Sequence, residues 1–170
     1  DYNGGFVLPA SIDKCISMAI VPNGTSAVNL YSIDYDDSVS FDVNGEKPEQ
    51  QWACYVYGVI REMKKRGASP GGFDAVFGGD IPLGAGMSSS AALESVFGTA
   101  LNTLFKLGFD KKELAKIGQM TEHNYVGVRC GIMDQFASLF GEAGKVIKLD
   151  CRSLEYELFP FEPKGIRLVL

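Results

Sequence analysis

The segment that most constrains this 170-residue chain is residues 82–94, which read Pro-Leu-Gly-Ala-Gly-Met-Ser-Ser-Ser-Ala-Ala-Leu-Glu. Glycines come first, three serines follow and good helix formers come last, so the pattern predicts a turn that leads directly into a helix. The first turn of a helix has unpaired N–H groups and a partial positive charge. Gly84 and Gly86 have no Cβ and would let an anion approach the backbone closely. The segment is therefore a candidate phosphate-binding site.

Two common nucleotide-binding motifs do not fit this segment. A Walker P-loop requires a lysine before its Ser or Thr, and the glycine spacing also differs from Gly-x-Gly-x-x-Gly. A simpler interpretation is a glycine-rich turn followed by a serine that caps the helix. The three consecutive serines, Ser88 to Ser90, and the stiffening effect of Pro82 favour phosphate binding over a plain cap.

Hydrophobic periodicity predicts a chain of mixed strands and helices. Alternating or continuous apolar runs predict strands at residues 6–8, 15–21, 27–33, 39–43, 73–81, 146–149 and 166–170. Apolar residues at helical spacing predict helices at 49–66, from the serines to about 104, from the cap Asp110 to about 124, and at 133–140. Because the strands and helices do not alternate regularly, the predicted fold class is α+β.

Composition excludes several classes of protein. A length of 170 residues fits one domain, and 46% hydrophobic residues can form a core. Charges of both signs are interspersed with a net charge of −5, and no Lys/Arg block or long apolar run is present, so we expect neither nucleic acid nor a membrane as a partner. The four cysteines have no metal-binding spacing, which predicts free, buried thiols in a cytoplasmic protein.

Three ordered segments carry a resemblance to a known family. Residues 82–92 resemble the phosphate-binding motif of the GHMP kinases, and residues 1–9 and 122–136 resemble two further motifs of the galactokinase family within that superfamily. The resemblance implies that residues 1–170 form the family's N-terminal domain, an α+β fold similar to domain 2 of ribosomal protein S5. It also implies a cytoplasmic enzyme, monomeric as the complete protein, that uses ATP and Mg²⁺ to phosphorylate galactose at its anomeric hydroxyl.

The resemblance assigns roles to individual residues, each of which has a simpler structural alternative. Asp134 matches the catalytic aspartate, Asp1 a carboxylate that holds sugar hydroxyls, and Gly131 a glycine that approaches the sugar. Ser90 and Glu122 match magnesium ligands. The ATP-binding positions are Trp52, Tyr55, Gly84, Ala85, Gly86, Met87, Ser88, Ser89 and Ser90.

The structural alternatives follow from ordinary residue behaviour. Asp134 could cap the short helix that follows it, Glu122 could be a solvated helix residue, and Asp1 a solvated terminal one. Trp52 and Tyr55 could pack in the core, which is compatible with lining an adenine pocket. His123 is expected to be structural. Even as the catalytic residue, Asp134 could be a general base or could only align the hydroxyl and stabilise charge.

Two further questions stay open from the sequence. The protein could be a kinase for another sugar, N-acetylgalactosamine or arabinose, or a galactose and ATP sensor without turnover. The intact run Ser88-Ser-Ser-Ala-Ala92 and the presence of Asp134 favour the enzyme. The family's arginine and Glu-His pair would precede Asp1, and its second half would follow Leu170. We therefore expect this chain to be part of a longer enzyme and to be inactive by itself.

Overall fold

The computed structural model describes residues 1–82, 86–162 and 165 of the chain. Within them the strands are β1 (Phe6–Val7), β2 (Ile16–Pro22), β3 (Ala27–Ser32), β4 (Asp37–Asp42), β5 (Phe73–Gly79), β6 (Lys145–Asp150) and β7 (Tyr156–Pro160). The helices are α1 (Gln51–Lys65), α2 (Ser89–Leu104), α3 (Lys111–Thr121), a π-helical turn (Glu122–Val126) and α4 (Met133–Phe140). This content confirms the predicted α+β class.

Four strands form a mixed sheet in the order β2-β5-β3-β4. The β5 and β3 strands run parallel, with Leu30 opposite Ala75, and the two outer pairs are antiparallel. Successive side chains of a strand point to opposite faces, and in β3 Val28 and Leu30 are buried while Tyr31 is exposed. The sheet therefore has one face in the core and one that is more exposed.

The main core lies between the inner face of this sheet and the helices α1, α2 and α3. Phe77 packs against both Trp52 and Phe97, at centroid distances of 5.7 and 5.3 Å. The predicted amphipathic face of α1 contributes Trp52 and most of its buried apolar residues to this core. The serine motif thus begins a helix whose body is anchored by aromatic packing.

A second sheet, ordered β1-β6-β7, packs with α4 around a smaller core. Phe136 of α4 is fully buried there, beside Ile147 and Leu149 of β6. The sequence analysis did not predict β7, because its short run Tyr-Glu-Leu-Phe-Pro ends in a proline. The predicted strand at 166–170 lies outside the described residues.

The helix predicted from Asp110 to about 124 is two elements. Asp110 caps α3 as expected, and with Glu113 it forms a reciprocal capping box. The α-helix ends at Thr121, where the chain widens into the π-helical turn, and the N–H groups of Gly127 and Val128 both bond to the carbonyl of Glu122. Such a turn is frequent at functional sites, and this one contains Glu122.

The four cysteines are free thiols, but the expectation that all are buried is wrong. Cys54 is buried, Cys130 and Cys151 are partly buried, and Cys15 is exposed. Cys15 directly precedes β2, which is an edge strand of the sheet formed by the described residues. In the part of the chain that the structure describes, no helix combines the length and the apolarity needed to cross a membrane.

Candidate functional site

The first residue of the chain meets the start of α4, about 130 residues later in the sequence. The Met133 N–H donates a hydrogen bond of 3.2 Å to Oδ2 of Asp1. A Cβ added at Gly131 would lie only 1.8 Å from that oxygen, so a side chain there would displace the Asp1 carboxylate. Asp134 follows in the first turn of α4. Three residues predicted to contact the sugar, Asp1, Gly131 and Asp134, therefore lie together.

The carboxylate that accepts a hydrogen bond from the N-terminus of α4 belongs to Asp1 and not to Asp134. The N-cap position is Ile132, which offers no side-chain oxygen, and Asp134 lies inside the helix. The alternative that Asp134 caps this helix is therefore wrong, and the Asp1 carboxylate takes one of the unpaired N–H groups instead. The Asp134 side chain is partly exposed and is not needed for capping.

The serine motif adopts a strained turn before α2. Gly86 has φ of +70°, and Ser88 has φ of +57° and ψ of +39°, a left-handed conformation that is uncommon for a residue other than glycine. Ser88 occupies the N-cap position, but its hydroxyl makes no capping bond. The motif is therefore not a simple serine cap, and strain of this kind clusters at functional sites.

The remaining ATP positions of the motif divide into three groups. Ser89 and Ser90 form the first turn of α2 and are partly buried. Met87 is partly buried and Gly86 is exposed in the preceding turn. Gly84 and Ala85 lie outside the described residues.

Glu122 is a buried carboxylate, 5% exposed, which contradicts the alternative of a solvated helix residue. Its charge affects a neighbouring thiol: burial, together with the charge of Glu122, raises the pKa of Cys130 to about 12. Among the described residues Glu122 has no ion-pair partner. A buried carboxylate without a protein cation is expensive unless another cation compensates it.

A second buried acid, Glu94, lies near Glu122. Burial, with a smaller contribution from the charge of Glu122, raises the pKa of Glu94 to about 9. Glu94 follows Ser90 by four positions on α2, so both residues lie on one face of that helix.

The two aromatic residues predicted at the adenine pocket lie on the same helix. Trp52 is buried, and its Nε1 donates a hydrogen bond of 3.1 Å to Oδ2 of Asp37. The Trp52 ring also stacks on Tyr35, which is half exposed, with 12° between the ring planes. Tyr55 is partly buried, and burial raises its pKa to about 12. The core-packing interpretation of Trp52 is therefore right, and the adenine role of both residues stays a prediction.

His123 also agrees with its expected structural role. Its Nε2 lies 2.8 Å from the carbonyl oxygen of Cys130. A carbonyl can only accept, so Nε2 carries the proton and the ring ties the π-helical turn to the segment before Gly131.

A concavity of about 680 Å³ lies elsewhere, over the outer face of the four-stranded sheet, and none of the predicted site residues lines it.

Sequence reasoning missed two residues of this region, Glu94 and Gln135. Both are buried, and the Gln135 amide donates to the Glu94 carboxyl over 3.1 Å. A signal for Glu94 was present in the sequence. It precedes Phe97 and Leu101 by three and seven positions and so shares the apolar face of α2.

We predict that Glu94 makes the free energy of unfolding of the apo protein fall as the pH rises from 5.5 to 8.5. The folded pKa, about 9, is above the ordinary value of 4.5, so between these values the folded state holds a proton that the unfolded state has lost. The free energy of unfolding then falls by up to about 1.4 kcal/mol per pH unit from this group. The measurement is urea unfolding of wild type and Glu94→Gln at pH 5.5 to 8.5, in EDTA.

The neutral side chain of Glu94→Gln cannot ionise, so its free energy of unfolding should lack this pH dependence. The free energy of unfolding of Glu94→Gln minus that of wild type should therefore grow toward high pH and shrink or reverse sign toward low pH. Parallel curves for the two proteins would contradict the raised pKa. Glu155→Gln, at an exposed position, is the matched control and should follow the wild-type curve.

Similarity to known proteins shows the protein family to which this chain belongs. A family model described as "GHMP kinases N terminal domain" matches residues 54–142, just over half of the chain. The chain therefore belongs to the GHMP kinase family, represented by its N-terminal domain. The matched range runs from within α1 through the serine motif and Glu122 to the end of α4.

Two galactokinases are similar to this chain over all or nearly all of its length. A curated galactokinase from Chloroflexus aggregans is 38% identical over 172 residues, an alignment that covers 100% of this chain and 44% of the relative. The crystal structure of Lactococcus lactis galactokinase complexed with galactose has a TM-score of 0.90 and 42% identity, covering 95% of this chain and 43% of that one. The chain thus spans less than half the length of these galactokinases.

A kinase of much lower sequence identity has a similar fold. Methanococcus jannaschii mevalonate kinase has a TM-score of 0.71 at 17% identity, covering 95% of this chain and 50% of that one. At that identity the likeness concerns the fold alone. The fold by itself therefore does not show which molecule a kinase of this family phosphorylates.

Proposed function

We propose that the complete protein containing this chain transfers the γ-phosphoryl group of ATP to the anomeric hydroxyl of galactose. The observation that carries the proposal is the meeting of Asp1, Gly131 and Asp134 at the start of α4. Two carboxylates at the start of one helix suit a sugar, since one can hold hydroxyl groups while the other acts on the reacting hydroxyl. The galactokinases named above support galactose as the acceptor.

Asp1 is proposed to hold two neighbouring sugar hydroxyls. Its carboxylate has about four acceptor positions, and the Met133 N–H uses one of them. The remaining positions can accept hydrogen bonds from the sugar. Because the same contact ties Asp1 to α4, sugar bound at Asp1 is held in a fixed relation to Asp134.

Asp134 is proposed to act on the acceptor hydroxyl. As that oxygen bonds to the γ-phosphorus, the bond from phosphorus to the bridging oxygen of ADP breaks, and the hydroxyl proton must leave. The Asp134 carboxylate can accept this proton, or it can align the hydroxyl and stabilise charge while the proton leaves later. Both versions require the carboxylate to be within hydrogen-bonding reach of the hydroxyl.

The nucleotide phosphates are proposed to bind at the start of α2. The strained turn at Gly86 and Ser88 presents the first N–H groups of the helix, and the Ser88 hydroxyl is not used for capping. These groups, with Ser89 and Ser90, suit phosphate oxygens. We extend the site to Gly84, Ala85 and Met87 from the motif, and to Trp52 and Tyr55 for the adenine.

The donor chemistry near α2 fits a magnesium ion. Glu122 is a buried carboxylate without an ion-pair partner in the described part of the chain, and Ser90 offers a hydroxyl. No group of three or more His, Cys, Asp or Glu with metal-binding geometry occurs among the described residues. Magnesium at kinase sites usually takes one or two protein ligands, with phosphates and waters completing the set. When bound, it would neutralise phosphate charge.

We predict that Ser90→Ala and Glu122→Ala each raise the magnesium concentration needed for half-maximal rate. Each variant removes one oxygen ligand, so the remaining site binds the ion more weakly. The measurement is a magnesium titration of the rate at saturating sugar and ATP. Thr99→Ala, exposed on α2, is the control and should keep the wild-type requirement. An unchanged requirement in both variants would remove these residues from the metal site.

The function is tested by a coupled ADP-release assay of the complete protein with galactose, N-acetylgalactosamine, arabinose and mevalonate. Galactose should give the highest kcat/KM. A preference for another sugar would reassign the acceptor within the same family. Binding of galactose and ATP by calorimetry, without turnover of any acceptor, would identify a sensor and contradict the proposed reaction.

A further inference from the structure

A buried polar pair connects the helix of the serine motif to the helix that carries Asp134. The Nε2 of Gln135 donates to Oε2 of Glu94 over 3.1 Å, and the two residues are 1% and 2% exposed, respectively. Glu94 lies one turn after Ser90 on α2, and Gln135 is the neighbour of Asp134 on α4. The pair therefore joins the nucleotide side and the sugar side of the proposed site through the protein interior.

Helix α3 encloses this pair. A Cβ added at Gly118 would lie 2.9 Å from Cγ of Gln135 and 3.0 Å from Oε2 of Glu94. The glycine thus lets α3 approach until its backbone covers both side chains. With α2, α3 and α4 packed around them, the two side chains have little freedom to move apart.

The hydrogen bonding of the pair is incomplete if Glu94 is ionised. Among the described residues, neither Oε1 of Glu94 nor Oε1 of Gln135 has a partner. Burial raises the pKa of Glu94 to about 9. A protonated carboxyl has an O–H that can donate, and Oε1 of Gln135 is a free acceptor on the same amide. An uncharged acid and an amide can therefore satisfy each other.

We propose that Glu94 is a positioning residue: its carboxyl group holds Gln135, and so holds the first turn of α4 and Asp134 with it, against the helix of the serine motif. This inference rests on the proposed phosphoryl transfer. Apolar contacts between α2 and α4 fix the distance between the helices but tolerate small shifts along their axes, whereas a hydrogen-bonded pair fixes the register. Small misplacements of reacting groups are costly in rate.

The test compares Glu94→Leu and Glu94→Gln in the complete protein. Leucine is similar in size but cannot accept the Gln135 hydrogen bond, so kcat should fall about tenfold while KM for sugar and for ATP stays within about twofold. Glutamine is uncharged and keeps an acceptor, so it should retain at least half of the wild-type kcat. Rates are normalised to the folded fraction measured by circular dichroism.

A second variant addresses the same contact from its other side. Gln135→Leu should reproduce the loss in kcat, although it also removes the contact of 3.8 Å from the Gln135 amide to Sγ of Cys130. The double variant with Glu94→Leu should be no slower than Gln135→Leu, since both break the same Glu94–Gln135 bond. If Glu94→Leu does not fold, Gln135→Leu and Glu94→Gln still decide the question. Ser95→Ala is the matched control, because it removes a neighbouring buried hydroxyl that has no partner in the described structure.

The possible results separate this inference from the proposed function. Wild-type kcat in folded Glu94→Leu or Gln135→Leu would overturn the positioning role alone, and so would an equal loss in Glu94→Gln or in Ser95→Ala. A loss in Glu94→Leu that saturating magnesium reverses would assign Glu94 to the metal site instead and overturn it too. An inactive wild-type protein would overturn the proposed function, and this inference with it.

Discussion

Replacement of Asp134 by asparagine in the complete protein is expected to lower kcat by about 10²–10⁴-fold, the usual contribution of a positioned acid or base. Asparagine has the same shape, so the first turn of α4 should not change, and Asp134 is not the residue that caps it. ATP binding should stay within about twofold, because Asp134 faces the acceptor in the proposed site. Steady-state kinetics and calorimetry with an ATP analogue measure the two effects.

The control for this change is Glu155→Gln, which makes the same carboxyl-to-amide replacement at an exposed position. It should leave both kcat and ATP binding unchanged. If Asp134→Asn kept more than half of the wild-type kcat, Asp134 would have no chemical role, and the site would have to be assigned elsewhere. A loss of ATP binding as large as the loss of kcat would indicate a structural defect.

Gly131→Ala is expected to weaken galactose binding by about 10–100-fold and to affect ATP much less. The added Cβ would lie 1.8 Å from Oδ2 and 2.0 Å from Cγ of Asp1, far inside any real contact, so the carboxylate must move away. The displaced carboxylate would lose at least one charged hydrogen bond to the sugar, about 1.5–3 kcal/mol. Calorimetry with galactose and with an ATP analogue provides the comparison.

Two further variants make this result specific. Asp1→Ala should weaken galactose binding to a similar degree, and the double variant should be no weaker than Asp1→Ala, since both act on one carboxylate. Gly5→Ala is the control, because a Cβ there meets no atom within 4 Å. Unchanged galactose affinity in Gly131→Ala would remove Asp1 from the sugar site, and equal losses for galactose and ATP would point to misfolding.

Much of the local structure could be predicted from the sequence. The helical spacing of apolar residues located α1 within two residues of its observed ends, and the cap Asp110 marked the start of α3. Glycines and serines indicated that α2 begins inside the phosphate motif. These features depend on interactions within a few residues, such as capping and side-chain periodicity, so a short window contains their cause.

Other local features could not be predicted. The π-helical turn at Glu122–Val126 depends on how α3 packs against α1, where a Cβ at Gly58 would lie 2.5 Å from the Thr121 side chain. The strand β7 exists because β6 offers it a partner, with Ile147 opposite Leu158. Neither the extra residue of a π turn nor the pairing of a short strand leaves a periodic pattern in the sequence.

The sequence by itself determined which residue types were available: a glycine- and serine-rich helix start, Gly131 and Asp134 at the start of α4, a carboxylate at Asp1, and the family that these motifs share. Only the tertiary structure decided that Asp1 caps α4, that Gly131 leaves room for its carboxylate, and that Glu94 and Gln135 pair in the interior. These contacts join residues separated by 41 to 132 positions. Such contacts depend on how sheets and helices pack together, and that packing is a property of the whole chain rather than of any single segment.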